Sequence, residues 1–262
     1  MPRPARSADA GRVRLVVQAD DHGACPAVSD GILRCFQAGV VTQASVIVPA
    51  PDAPRAIAAA LAAGLPLGAH LALLCEWEGL RWGPLTAAPS LRAVDGAFPD
   101  DLARLRAQAD LGEAAAELRA QLRAATTAGV RLTHLESHVR VLDPGLLARI
   151  SAEFGLPCRD EVPAPGVPMA LDSLWHLSLQ DPATKAEALA RHVAGLGPGT
   201  HMVVAHPAED RPELLTLCSP DSRRWKWARD IRVSDTAALL DPRFLASCAE
   251  RDVELTALPA PG

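Results

Sequence analysis

Leu15-Val16-Val17-Gln18-Ala19-Asp20-Asp21-His22-Gly23 is an apolar run that stops abruptly at two carboxylates, an imidazole and a glycine. A short apolar run bounded by a turn residue reads as a buried strand. Two adjacent carboxylates at its end repel each other, so both stay ionised at neutral pH only beside a cation or strong hydrogen-bond donors. A metal ion is therefore the first partner to look for. The plainer alternative makes Asp20 the N-cap of the next helix and Asp21 a solvated turn residue, since Asp is favoured in both places. Adjacent residues of an extended chain point to opposite sides. For both carboxylates to serve one site the chain must turn at the strand end, and Gly23 is placed to supply that turn.

The pattern continues as an alternation of elements. Residues 27–38 have helical periodicity, with Val28, Ile32, Leu33 and Phe36 on one face and Gly39 at the C-terminal cap position. Residues 40–48 read as a strand, 53–63 as an alanine-rich helix closed by Gly64, and 65–73 as a strand containing His70. Further on, helices are expected at 111–128, 144–154, 184–194 and 242–250, with strands at 130–138, 156–159, 201–206 and 253–258. Strands alternating with helices are the signature of parallel α/β architecture, and one α/β barrel-like domain over 13–262 is the simplest reading. Residues 1–12 are expected to form a flexible tail. Periodicity fails over 76–100, a long loop rich in Trp, Gly and Pro, and loops of that length are usually functional or disordered.

Composition narrows the function. About half of the 262 residues are hydrophobic (49%), enough for a sizeable core. The net charge of −5 argues against nucleic acid or an anionic membrane surface as partner and favours a small neutral or cationic ligand. No apolar run is long enough to span a bilayer. Six dispersed cysteines form no Cys-x-x-Cys pair and no secretory apolar segment opens the chain, the pattern of reduced thiols in a cytoplasmic protein.

In a parallel barrel the reactive groups sit at the carboxyl ends of strands. Asp20 and Asp21, His70, His138 and His206 all fall at such ends. Each has a plain alternative: His70 as a core histidine bonded to backbone, His206 as a strand terminus before Pro207. His134, Glu136 and His138 are spaced by two, so a strand places them on one face, where they need partners or an ion. One carboxylate with two imidazoles suits Zn²⁺, Ni²⁺, Co²⁺ or Fe²⁺, whereas Mg²⁺ prefers oxygen ligands.

The elements Ala19-Asp20-Asp21-His22-Gly23, Gly31-Ile32, Gly39-Val40-Val41-Thr42 with Ser45-Val46, Gly68-Ala69-His70-Leu71, Arg81-Trp82-Gly83-Pro84, Thr133-His134-Leu135-Glu136-Ser137-His138 and Ala205-His206-Pro207 stand in a specific order. Together they resemble the YdjC/ChbG-like carbohydrate deacetylase family. The resemblance implies a distorted TIM-like (β/α) barrel that hydrolyses an N-acetyl group from an amino sugar or sugar-containing metabolite. It implies one divalent metal ion (Zn, Mg, Ni or Co) held by Asp21, His70 and His138, with Asp20 as catalytic base and His206 as general acid. In three places this chain departs from that pattern: His22 where Phe is usual, Glu136 for the usual Asp, and Val139-Arg140-Val141 for a histidine-rich continuation. Trp77 and Trp82 are candidates to stack on a sugar or to pack the loop onto the barrel. Arg140 is a candidate contact for an acidic substituent or a surface ion-pair partner. Two other classes stay open: hydrolysis of another amide or a phosphoester on the same barrel, and an inactive sugar-binding relative. The expected partner is a small N-acetylated sugar, and the alanine-rich helices leave a homodimer open.

Overall fold

The structure, a computed structural model, describes residues 11–139, 143–159 and 167–261. The sequence-predicted tail therefore lies almost wholly outside the described residues. The chain runs β1 (Val13–His22), α1 (Pro26–Gln37), β2 (Gln43–Val46), α2 (Ala53–Ala63), β3 (Leu67–Leu71), α3 (Leu102–Gln108), α4 (Leu111–Thr127) and β4 (Leu135–Ser137). It continues α5 (Pro144–Phe154), β5 (Pro157–Cys158), β6 (Val167–Pro168), β7 (Ser173–His176), α6 (Lys185–Ala194), β8 (Gly199–Ala205), α7 (Trp225–Ala228), α8 (Asp230–Leu239), α9 (Pro242–Glu250) and β9 (Val253–Leu255).

The strands form one sheet in the order β6-β5-β4-β3-β2-β1-β8-β7, every pair parallel, curled into a half-barrel. β1 is its centre. It pairs with β8 from Val13 to Ala19, while its other edge takes β9 at Val13–Leu15 and β2 from Gln18 onward. A parallel strand covered on both faces needs apolar side chains on both, which is why Leu15, Val16 and Val17 read as an unbroken run. Leu15, Val17 and Ala19 pack into the main core beneath the helices. Val16 faces the other way, against Met202 and Val204 of β8, in a small apolar cluster of its own.

The helices expected at 53–63, 144–154 and 242–250 match α2, α5 and α9. Strands are shorter than their apolar runs: 40–48 narrows to β2 and 130–138 to β4. Their flanks remain tied, since Thr133 and His138 donate backbone hydrogen bonds to Leu67 and Leu71 of β3 at 3.0 and 2.9 Å. α3, β6, β7, α7 and α8 carry no clear sequence periodicity. In α8 the reason is visible, because its buried positions include Arg232 and Asp235 and the apolar stripe is interrupted by charge.

The long loop after β3 is irregular apart from one 3-10 turn at Pro89–Leu91. Three arginines hold it, among them Arg92, which donates to the carbonyls of Gly96, Pro84 and Thr86 at 2.7, 3.1 and 2.9 Å. Arg81 donates to the carbonyls of Cys75, Trp77 and Phe98, and Arg224 donates to those of Glu76 and Asp100 at 2.6 and 2.8 Å. No disulfide joins the cysteines, and no helix among the described residues is long and apolar enough to cross a membrane.

α1 lies against the segment that follows β8. A Cβ on Gly31 would sit 2.5 Å from Ala208 Cα and 2.6 Å from its carbonyl carbon, backbone that cannot swing away. Gly31→Ala is expected to destabilise the fold by about 1–3 kcal/mol. Gly197→Ala, which meets nothing within 4 Å, should stay within about 0.5 kcal/mol. Chemical denaturation of the two variants beside the parent checks this contrast.

Candidate active site

Alternation along the strands aims Val16, Gln18 and Asp20 of β1 to the inside of the half-barrel. The neighbouring strands supply Gln43 and Ser45, His70, and then His134 and Glu136 to the same face, and hydrogen bonds join them. Gln43 donates to Gln18 Oε1 at 2.6 Å, Gln18 donates to Asp20 Oδ1 at 3.2 Å and to Glu136 Oε1 at 3.4 Å, and Ser45 donates to Glu136. The interior thus passes from apolar at Val16 to polar at Gln18 and charged at Asp20.

Asp21 breaks this alternation. Its φ of 70° is left-handed, and the β1–β2 register shifts between Ala19 and His22. Gly23, with φ 90°, makes the turn expected of it, closed by Ala24 donating to the Asp21 carbonyl at 3.0 Å, and a further left-handed step at Asp21 comes two residues earlier. Such a backbone costs a non-glycine residue about 1–2 kcal/mol, and it brings Asp21 to the same site as Asp20. The next residues are tied down: Ile47 donates to the His22 carbonyl at 2.9 Å and Ser29 Oγ accepts from Gly23 at 3.1 Å. Neither aspartate caps α1, whose N-cap is Cys25. His22 turns away, its Nε2 3.0 Å from the Ala56 carbonyl oxygen, and burial pushes its pKa down to about 4.

Asp21 Oδ1 lies 3.1 Å from His70 Nε2 and 3.1 Å from His138 Nδ1. The far nitrogen of each ring faces its own carboxylate: His70 Nδ1 is 2.9 Å from Glu136 Oε1, and His138 Nε2 is 2.9 Å from Glu76 Oε2. Asp21 Oδ2 accepts from Arg232 at 2.6 Å. Burial raises the Asp21 pKa, but Arg232 and then His138 outweigh it and hold the carboxyl well below the usual range. Burial opposes charging the two rings, yet the carboxylates raise His70 to about 9 and His138 to about 10.

The donor set fits a divalent ion on its geometry. One carboxylate oxygen and two imidazole nitrogens converge, and a tetrahedral ion with ligands at about 2.0 Å needs its donor atoms about 3.3 Å apart. Histidines that bind metals nearly always donate the other ring N–H to a carboxylate, carbonyl or water, and Glu136 and Glu76 stand in that relation.

Asp20 has different partners. Arg159, just beyond β5, grips it with two parallel bonds of 2.8 and 2.7 Å, while its Nε lies 2.8 Å from Glu136 Oε2. His206, just beyond β8, places Nε2 3.8 Å from Asp20 Oδ2. Behind it, His206 Nδ1 is 2.8 Å from Ser178 Oγ, Ser178 donates to Asp235 Oδ2, and the same oxygen accepts the His206 backbone N–H at 2.7 Å. Trp227 meets the ring edge-on, with centroids 5.4 Å apart. Burial lowers the His206 pKa, an effect that the charges of Asp21 and Asp20 partly offset.

The structure therefore brings Asp20, Asp21, His70, His138 and His206 together. His134 lies lower in the barrel, 3.5 Å from Gln43 and against Gly68, where a Cβ would strike its ring at 2.3 Å. Trp77 and Trp82 are both buried, each 3% accessible. Arg232 stacks on Trp77 at 5.3 Å, and Trp82 donates to the Leu74 carbonyl and meets His138 edge-on. Both indoles are held by protein contacts. Trp77 also borders a cleft of about 440 Å³ with Glu76, Glu78 and Arg81. Arg140 lies outside the described residues. Sequence reading missed Glu76, Arg159, Ser178, Arg232 and Asp235. Arg159 and Ser178 follow strands, so the strand-end rule reaches them once β5 and β7 are known. The helical Arg232 and Asp235 leave no such signal.

Fold and site together define a parallel α/β half-barrel with a cluster of carboxylates and imidazoles at the carboxyl ends of its strands that could hold a metal ion. The YdjC-like protein family profile matches residues 14–250, and the chain belongs to that family. It is 32% identical over 249 residues to a carbohydrate deacetylase of Geobacillus stearothermophilus, covering 92% of this chain and 94% of the relative. It is 30% identical over 266 residues to a chitooligosaccharide deacetylase of Yersinia pestis (strain Pestoides F), covering 92% and 96%. A crystal structure of a proposed cellobiose-phosphate cleavage protein from Enterococcus faecalis V583 shares the fold with a TM-score of 0.77 at 22% identity, covering 94% of this chain and 98% of that one.

Arg159 is the shared counter-ion of two buried carboxylates. Removing it in Arg159→Met leaves Asp20 and Glu136 without their cation, and the expected loss of stability is about 3–5 kcal/mol at neutral pH. Denaturation of Arg159→Met beside Arg159→Lys checks it, with the lysine variant recovering only part because it lacks the planar fork.

Proposed function

We propose that this chain is a metal-dependent carbohydrate N-deacetylase, acting on an N-acetylated amino sugar. One observation carries the reading: Asp21, His70 and His138 converge on one point while Asp20 and His206 face each other beside it. The names of the relatives with 30–32% identity agree with the reaction class.

Asp21, His70 and His138 are the residues that would hold the ion, and a borderline cation such as Zn²⁺, Ni²⁺ or Co²⁺ suits one carboxylate with two imidazoles. When bound, such an ion acts as a Lewis acid on a carbonyl oxygen and on water. Glu136 and Glu76 fix the ring orientations, so the ligand nitrogens need no rearrangement. Asp20 is the base. Its carboxylate is clamped by Arg159 with Oδ2 3.8 Å from His206 Nε2, and it takes a proton from the attacking water. The acetyl carbon gains a bond to the water oxygen and loses its bond to nitrogen. Protonation of the departing nitrogen is assigned to His206 Nε2, across from Asp20, because an amine leaves only with a proton. The products are acetate and the free amino sugar, with one water consumed.

Acetate release from a panel of N-acetylated amino sugars, supplied with each candidate ion in turn, tests the reading. Absence of acetate under every condition would sink it, and turnover of a phosphoester in its place would favour the alternative hydrolase. Asp20→Asn should retain bound metal and lose activity by about a hundredfold or more. Full activity in that variant would remove Asp20 from the role of base. Elemental analysis should find the ion lost from His138→Ala and kept in His134→Gln.

A further inference from the structure

The proton positions in the buried chain behind His206 can be assigned one by one. Lys185 is 1% accessible and its ammonium has three acceptors: Asp235 Oδ1 at 2.7 Å, Ser234 Oγ at 2.8 Å and the Ile231 carbonyl at 3.2 Å. Ser234 spends its own proton on that same carbonyl at 2.9 Å, so towards Lys185 it accepts. Three acceptors account for all three ammonium protons. Asp235, paired to that cation, is a carboxylate and only accepts. Ser178 has one proton, and it goes to Asp235 Oδ2. Towards His206, Ser178 Oγ is left with lone pairs, so the ring nitrogen 2.8 Å away must be the donor.

From this we infer that Ser178 and Asp235 are positioning residues that keep a proton on His206 Nδ1. Nε2, the nitrogen facing Asp20, then becomes the only ring atom at which a proton is gained or lost. Asp235 Oδ2 also accepts the His206 backbone N–H at 2.7 Å, so one carboxylate oxygen fixes the backbone directly and the ring through a serine. Lys185 balances the charge of Asp235, so the chain orients the imidazole without placing a net negative charge behind it. The serine is the informative link, since it touches neither the converging donors nor Asp20.

This inference rests on the role proposed for His206, but its test does not depend on turnover alone. Long-range proton–nitrogen correlation spectra of the purified protein with isotopically labelled histidine, recorded above neutral pH, should show neutral His206 protonated on Nδ1. In Ser178→Ala that signature should weaken, with kcat reduced about a hundredfold, KM changed less than about twofold and metal content unchanged. Ser178→Thr keeps the hydroxyl and should return kcat to within about fivefold. A parent spectrum with the proton on Nε2, or Ser178→Ala with the parent kcat, would overturn the assignment. An Nδ1-protonated His206 in a chain that releases no acetate would uphold the relay and overturn the deacetylase reading.

Discussion

Two adjacent carboxylates buried in one site repel each other unless positive charge stands beside each of them, and the geometry of Asp20 and Asp21 meets that requirement. Each has its own arginine: Arg159 binds both oxygens of Asp20, and Arg232 binds the outer oxygen of Asp21. The guanidinium groups come from opposite parts of the chain, one just past a strand and the other inside a helix. The left-handed backbone of Asp21 itself turns its carboxylate into the site beside Asp20 while leaving the two with different partners. Burying an unpaired carboxylate costs several kcal/mol, so the arginines are conditions for the fold as much as for the chemistry. The strain at Asp21 is small beside that cost and is sustained by the hydrogen bonds that pin His22 and Gly23.

Polarity inside the barrel follows from the same requirement. A charged layer placed directly on Val16, Met202 and Val204 would leave its inner lone pairs unsatisfied. Gln18 and Gln43 intervene as amides that both donate and accept. Gln18 accepts from Gln43 and donates upward to Asp20 and Glu136, converting an apolar floor into an acidic site in one residue step along β1. Glu136 is the hub above it, meeting Ser45, His70 and Arg159. Burial raises its pKa, but Arg159, then His134 and His70, outweigh this and hold the carboxyl well below the usual range.

Legibility from sequence tracked periodicity. The run 15–23, the alanine-rich helix at 53–63 and the His70 and His138 elements all announce themselves because apolar residues recur with the period of their element and reactive groups fall at its end. β1 and α2 were therefore readable, and so were the five converging side chains. The cases that failed share one physical feature, charge on a buried face. Arg232 and Asp235 erase the stripe of α8, and Arg159 terminates a strand of only two residues. Trp77 and Trp82 stay between two sequence readings, stacking on a sugar or packing the loop, because periodicity fails over 76–100. In the structure Arg81 and Arg224 tie that loop down through its carbonyls, and both indoles are buried.

α8 deserves weight out of proportion to its ten residues, because it reaches both sides of the site. Arg232 and Asp235 are three apart, one turn of helix, and so project from the same face. The first holds Asp21; the second holds His206 through Ser178 and through its own backbone bond. One helix is thereby tied both to Asp21 and to His206. Lys185 of α6 fixes that helix by gripping Ile231, Ser234 and Asp235 with a single ammonium group. A lysine buried this deeply is tolerable only because all its protons are used. The outer helices thereby help to set the 3.8 Å between Asp20 Oδ2 and His206 Nε2, and that distance is a property of helix packing as much as of the strands that carry the two residues.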